Sequence, residues 1–282
     1  MQFIEKRKWF YIFSSILIIA GIVSMFMQGF NWGIDFTGGS LLRYKMESTI
    51  TADQVRNTVN DLKLVKEVSV QKSGSEFYIR TNELNQEQTA KMTSGLKEKF
   101  KSVTLESAES VGATIGSELT RNALIAIGIA LVLMLIYITF RFEFAFGLAA
   151  VLALFHDVLI VLGLFSIFQW EVSSYFVAAI LTIVGYSIND TIVIFDRVRE
   201  NLRSRKKEEL NTLINRSIMQ TLNRSVNTVL TVLMPLITLL LFGGSTIKVF
   251  VIALLIGFLF GMYSSICVAS PFYYDYKQRS AN

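Results

Sequence analysis

Residues 172–195 are apolar over more than the roughly 20 residues that cross a bilayer, yet they carry Gly185-Tyr186-Ser187-Ile188-Asn189-Asp190-Thr191. A carboxylate at membrane depth costs ~2.5–3.5 kcal/mol on insertion scales, so a proton, a partner or water has to offset it. Asp190 is therefore read as a proton-handling group, with Asn189 as a possible support. Arg224 opens the next apolar run, beside Asn227 and Thr228. Asp190 and Arg224 fall on consecutive spans joined on one side of the membrane. Such a pair can alternate: protonating the carboxylate releases the arginine, and deprotonation recaptures it. Two plainer readings stay open. Asp190 can be a structural carboxylate, and Arg224 a positive anchor at a helix end.

A second polar pair, His156-Asp157, interrupts the apolar run 144–168. His156 is the single histidine. An imidazole suits a proton relay, and hydrogen-bonded packing suits it equally. At a rise of about 1.5 Å per residue, His156 and Asp157 lie roughly 18 Å from the inner end of their helix. Asp190 lies roughly 25 Å from the outer end of its own. Asp196-Arg197 reads as a solvated helix end. Gly38-Gly39 lacks the spacing of a phosphate loop and reads as a tight turn. Gly185, Ser187, Gly257 and Gly261 are small residues suited to close helix packing.

The elements that must hold these groups are six apolar runs, at about 9–29, 121–141, 144–168, 173–195, 225–243 and 247–269. Only 17% of the 282 residues are charged, below the quarter or so of soluble domains. The net charge of +5 is no nucleic-acid signal, because the basic residues cluster at the ends of apolar runs. One cysteine, Cys267, excludes a disulfide or a cysteine metal site within the chain. Lys6-Arg7-Lys8 opens the first run as a signal peptide would, but the run is too long and no small-x-small site closes it. A retained span is expected. Lys6, Arg7 and Lys8, the group Arg197, Arg199, Arg203, Arg205, Lys206 and Lys207, and Lys277 with Arg279 place both termini in the cytoplasm. A short inner turn with Arg141 and Glu143 joins the second and third spans. Trp170 suits the outer interface.

The organisation expected is thus 1–29 as terminus and first span, 30–120 as an outer domain, and 121–282 as five spans with a cytoplasmic basic loop at 196–224 and a short tail. Within 30–120, a strand is predicted over 40–46 and a helix from Thr51 to about 62. Strands over 67–72 and 76–81 flank the turn Ser73-Gly74-Ser75. A helix over 85–100 and a last strand over 101–107 follow. The order β-α-β-β-α-β is the ferredoxin-like plan. The fold class is an α-helical integral membrane protein of six spans with an extracytoplasmic α+β ferredoxin-like domain between the first two.

Several segments in combination resemble the SecF family, the smaller membrane subunits of the bacterial SecDF accessory translocase. They are Gly33-Ile34-Asp35-Phe36-Thr37-Gly38-Gly39, Ser110-Val111-Gly112, Gly116-Ser117-Glu118-Leu119, and 184–193 running into Asp196-Arg197-Val198-Arg199-Glu200-Asn201. Thr221-Leu222-Asn223-Arg224 and Leu241-Phe242-Gly243-Gly244 also fit. The resemblance implies a half-transporter of the resistance-nodulation-division type in the bacterial cell membrane, completed by SecD. It implies work with the SecYEG channel, SecA and YajC-type accessory subunits, using the proton motive force to assist preprotein export. It carries functional roles onto Asp190 and Arg224, and the His156-Asp157 pair also recurs in the family. It implies no enzymatic activity, no cofactor or metal, and lipid but no nucleic acid as a partner. The transported ion, H⁺ or Na⁺, stays open. The alternatives are an ion-coupled small-molecule exporter subunit, an intramembrane aspartyl protease using Asp157 and Asp190, and a structural scaffold.

Overall fold

The computed structural model describes residues 2–65, 68–141, 143–204 and 208–281. In chain order the elements are α1 (Arg7–Gln28), β1 (Asn31–Trp32), α2 (Ile34–Thr37), β2 (Gly39–Lys45), α3 (Ala52–Asp61), β3 (Val68–Ser73), β4 (Glu76–Thr81), α4 (Gln86–Lys99) and β5 (Thr104–Val111). There follow α5 (Ala113–Arg141), α6 (Phe144–Phe168), β6 (Glu171–Val172), α7 (Ser174–Arg203), α8 (Leu210–Phe242), α9 (Ser245–Ser264), a π-helical turn (Ser265–Ala269) and α10 (Ser270–Ala281). They form two units, Met1–Asn31 with Ile125–Asn282, and Trp32–Leu124.

Among the described residues, six helical stretches are long and apolar enough to cross a membrane. Three of them differ from the apolar runs. α5 begins at Ala113 rather than near 121. α7 runs on to Arg203 and α8 begins at Leu210. The stretch 196–224, expected as a loop, is therefore helical over 196–203 and 210–224, while Arg205, Lys206 and Lys207 lie outside the described residues. The physical reason is amphipathicity: Val198, Leu213, Ile214 and Ile218 are buried in one core, which rewards helix on both sides of the turn. The charges lie along the helix surface, as in the Arg197–Glu200 pair at i, i+3. The expected tail is helical for the same reason. In α10 Tyr273 is buried and stacks on Phe146 at 4.0 Å between ring centroids.

Polar contacts tie the helix ends together at one end of this unit. The Phe3 and Ile4 N–H groups donate to Asn215 Oδ1 at 2.8 and 3.1 Å. Arg7 pairs with Asp275, Arg141 with Asp196 and Lys277 with Glu143. Glycines set the closest helix contacts. A Cβ on Gly21 would stand 2.6 Å from the Gly163 Cα, so α1 and α6 touch backbone to backbone. A Cβ on Gly257 would collide with Ile183, and one on Gly261 would lie 3.1 Å from the Ser187 Cβ. Gly185 does not share this role, since nothing lies within 4 Å of its Cβ position.

The other unit is a four-stranded antiparallel sheet in the order β3-β4-β2-β5. α3 and α4 contribute Val55, Val59, Met92 and Leu96 to a core with Leu42, Tyr44, Phe77 and Ile79. Thr51 with Gln54, and Asn85 with Gln88, close reciprocal capping boxes at the helix starts. Gly74, at φ 63°, turns β3 into β4. Glu67, assigned to a strand from its pattern, lies outside the described residues. The last strand starts later than expected and runs to Val111, because its pairing with β2 extends to Gly39–Val111. Gly38 and Gly39 make the expected tight turn, at φ 70° and 113°, and a Cβ on Gly39 would strike the Thr81 carbonyl.

Candidate functional site

Two polar centres lie within the helical unit. In the first, α6 presents His156 and Asp157, both buried. His156 Nδ1 lies 2.9 Å from Asp157 Oδ1. The other carboxyl oxygen, Oδ2, accepts from Ser187 of α7 at 2.6 Å and from Ser264 of α9 at 2.8 Å. On the far side of the ring, His156 Nε2 lies 2.9 Å from Ser14 Oγ of α1. Ser14 is 3.1 Å from the Tyr263 hydroxyl, which donates to the Phe10 carbonyl at 3.0 Å. One carboxylate thus joins α6, α7 and α9 directly, and α1 through the imidazole. Such a network is stable only when every member is partnered.

α7 is pinned again one turn further on. Thr191 Oγ1 and Ser265 Oγ are 2.8 Å apart, and Ser265 begins the π-helical turn. π-Turns of this kind often mark functional positions. Ser270 donates to the Ser265 carbonyl across it at 2.9 Å.

The second centre lies between α7 and α8. Asp190 is buried, and its Oδ2 has no hydrogen-bond partner among the described residues. The Ser225 hydroxyl lies beside this carboxyl and is also without a hydrogen bond. Tyr186 secures the seam by donating to the Thr228 carbonyl at 2.8 Å. The other expected residues behave differently. Arg224, adjacent to Ser225 in sequence, is exposed and among the described residues forms no ion pair with Asp190, though it is near enough for its charge to act on that carboxyl. Asn189 is exposed on α7 and makes no hydrogen bond among the described residues. It therefore belongs to neither centre within this chain. Among the described residues no hydrogen bond joins the Asp157 and Asp190 carboxyls.

The geometry brings in Ser14, Ser225, Tyr263, Ser264 and Ser265, which the residue pattern does not single out. A serine in an apolar helix commonly bonds back to its own helix, so its type alone carries no signal. Arg141–Asp196 is an exposed ion pair at 3.1 Å, consistent with a solvated helix end.

Fold and site define a multi-pass α-helical membrane protein with ionisable groups held inside its helical unit. Residues 91–279 match the family described as protein export membrane protein SecD/SecF, C-terminal, and residues 23–50 match the SecD/SecF GG motif, which contains Gly38 and Gly39. The chain is 42% identical to the protein translocase subunit SecF of Sebaldella termitidis, over 97% of this chain and 91% of that protein. It is 41% identical to the protein translocase subunit SecDF of Bacillus subtilis, over 99% of this chain and 38% of that one. A crystal structure of SecDF from Thermus thermophilus superposes with a TM-score of 0.92 at 37% identity, covering 99% of this chain and 39% of that chain. The chain belongs to the SecD/SecF family of protein export membrane proteins, and this makes it a Sec accessory translocase subunit. It spans most of the length of its SecF relatives and about two fifths of the SecDF chains.

Proposed function

We propose that this subunit couples the proton motive force to preprotein export, and that Asp190 is its proton-coupling carboxyl. The observation that carries the reading is the unsatisfied Asp190 carboxyl beside a polar face that this chain leaves open. Asn189 and Thr182 of α7, with Asn223, Arg224, Asn227 and Thr231 of α8, are exposed. A polar face at membrane depth calls for protein or water rather than lipid. SecD is the partner that completes it, and Arg224 is the cation released or captured as Asp190 changes charge. The assembly works with SecYEG, SecA and YajC-type subunits in the bacterial cell membrane, on an unfolded preprotein. Both termini face the cytoplasm, where the basic residues gather. The β-α-β-β-α-β unit is then extracytoplasmic and ferredoxin-like. No covalent chemistry, metal or cofactor enters this mechanism. The test is preprotein export in cells carrying Asp190→Asn at normal protein levels. Loss of export is expected, and export at the wild-type rate overturns the coupling role.

A further inference from the structure

We propose that His156 and Asp157 form a second proton-binding site, apart from Asp190, in which the imidazole takes up a proton and a chain of hydroxyls from α6 to α1 reorients with it. The inference rests on the proton-coupled reading only for its use in the cycle, since the site itself follows from counting hydrogens. With Asp157 ionised, as it is when paired with the imidazole, it offers acceptors alone; its Oδ2 is occupied by Ser187 and Ser264, so in that state the 2.9 Å contact at Oδ1 is a donation from His156 Nδ1. The state of Nε2 then decides the direction of everything beyond it.

With Nε2 bare, the Ser14 hydroxyl has to donate to the ring across 2.9 Å. Tyr263 then has one hydrogen for two acceptors, Ser14 Oγ at 3.1 Å and the Phe10 carbonyl at 3.0 Å. One of these two contacts holds no hydrogen. With a proton on Nε2, the ring donates to Ser14, Ser14 donates to Tyr263, and Tyr263 donates to the Phe10 carbonyl. Every close contact then holds one hydrogen. The single bond formed is N–H on Nε2, the proton is exchanged with solvent, and the hydroxyls only rotate. The imidazolium so formed sits against the Asp157 carboxylate, so the buried pair is neutral as a whole.

The titratable neighbours are few. From α9, the Tyr263 ring lies alongside the imidazole with centroids 6.0 Å apart, and Cys267 of the π-helical turn lies near Tyr263. α1 and α7 face the pair with the hydroxyls of Ser14 and Ser187. Asp157 also holds α7 to α9 through Ser187 and Ser264.

Because the chain has one histidine, full-length protein labelled with ¹⁵N-histidine in lipid bilayers reports this site alone. In solid-state NMR the wild type is expected to interconvert, as the pH is varied, between an imidazolium with two protonated nitrogens and a ring protonated at Nδ1. Asp157→Asn is expected to lower the imidazolium population at the wild-type midpoint about tenfold. Tyr263→Phe, which keeps the ring and removes the end of the chain, lowers it by a smaller factor. Asp190→Asn leaves the titration unchanged. A wild-type ring that stays neutral and pH-invariant overturns the proposal, as does a titration that ignores both Asp157→Asn and Tyr263→Phe. Wild-type export in Asp190→Asn with an intact histidine titration would overturn the proposed function while leaving this site standing.

Discussion

Asp157 and Asp190 lie in the same helical unit on neighbouring helices, and their surroundings differ in one respect that matters. Asp157 meets three donors on three side chains, His156, Ser187 and Ser264. Asp190 is nearly as buried, yet its Oδ2 meets no donor. The Asp157 carboxyl has partners at both oxygens within this chain. The Asp190 centre is half a site, on the α7 side that looks toward α8 and an open polar face. A buried network with every partner in place rigidifies, whereas an unpartnered buried carboxyl is costly and stays responsive. The same helix therefore carries pinned hydroxyls, at Ser187 and Thr191, and a carboxyl left for a proton or a partner.

The largest effect expected from this contrast is on stability at Asp157. Asp157→Leu leaves three donors facing an apolar side chain, and a loss on the order of 3–5 kcal/mol is expected. Equilibrium unfolding of the purified subunit in detergent measures it, and a loss below about 1 kcal/mol would dissolve the distinction between the two centres. Asp190→Leu should do the opposite, keeping or raising stability in the same assay, because it deletes a group with an unmet hydrogen bond. Export should nonetheless fail in that variant, and a combined loss of fold and export would make Asp190 structural. Ser187→Ala is expected to cost about 0.6–1.7 kcal/mol, the range of interhelical hydrogen bonds within membranes. Ser225→Ala is the smallest, within about 0.5 kcal/mol of the parent, because the Ser225 hydroxyl has no partner to lose. Should Ser225→Ala cost as much as Ser187→Ala, a bond from Ser225 to Asp190 must form in the membrane, and Asp190 would no longer be the open centre.

The six spans were legible because 20-residue apolar runs with basic flanks leave few other structures open to them. The turn at Gly38-Gly39 and the cap at Thr51 were legible because each is decided by local backbone demands. The helical course of the 196–224 stretch was less so. Its charges suggest a solvated loop; the sequence shows an amphipathic stretch over 211–223 leading into the fifth span, and the shared burial of Val198, Leu213, Ile214 and Ile218 shows helix on both sides. Asp190 and the His156-Asp157 pair stood out by residue type alone, since ionisable groups in apolar runs are rare. Arg224 lies near Asp190 at the same seam, close enough for its charge to act on the carboxyl, without an ion pair among the described residues.

Residue type and hydropathy thus determined how often the chain crosses the membrane and which side chains are too costly there to be idle. They also carried the family resemblance that the relatives confirmed. Partnership was decided by tertiary structure. Which of two buried aspartates is satisfied depends on where hydroxyls from α1, α7 and α9 arrive in space, and serines from three distant segments leave no mark in sequence spacing. The approach of α9 to α7 through Gly257 and Gly261 brings Ser264 and Ser265 to Asp157 and Thr191. Among the described residues no hydrogen bond forms at Asp190 Oδ2, although the Ser225 hydroxyl of α8 lies beside that carboxyl. Hydrogen bonds act over about 3 Å, so that contrast is settled by helix packing.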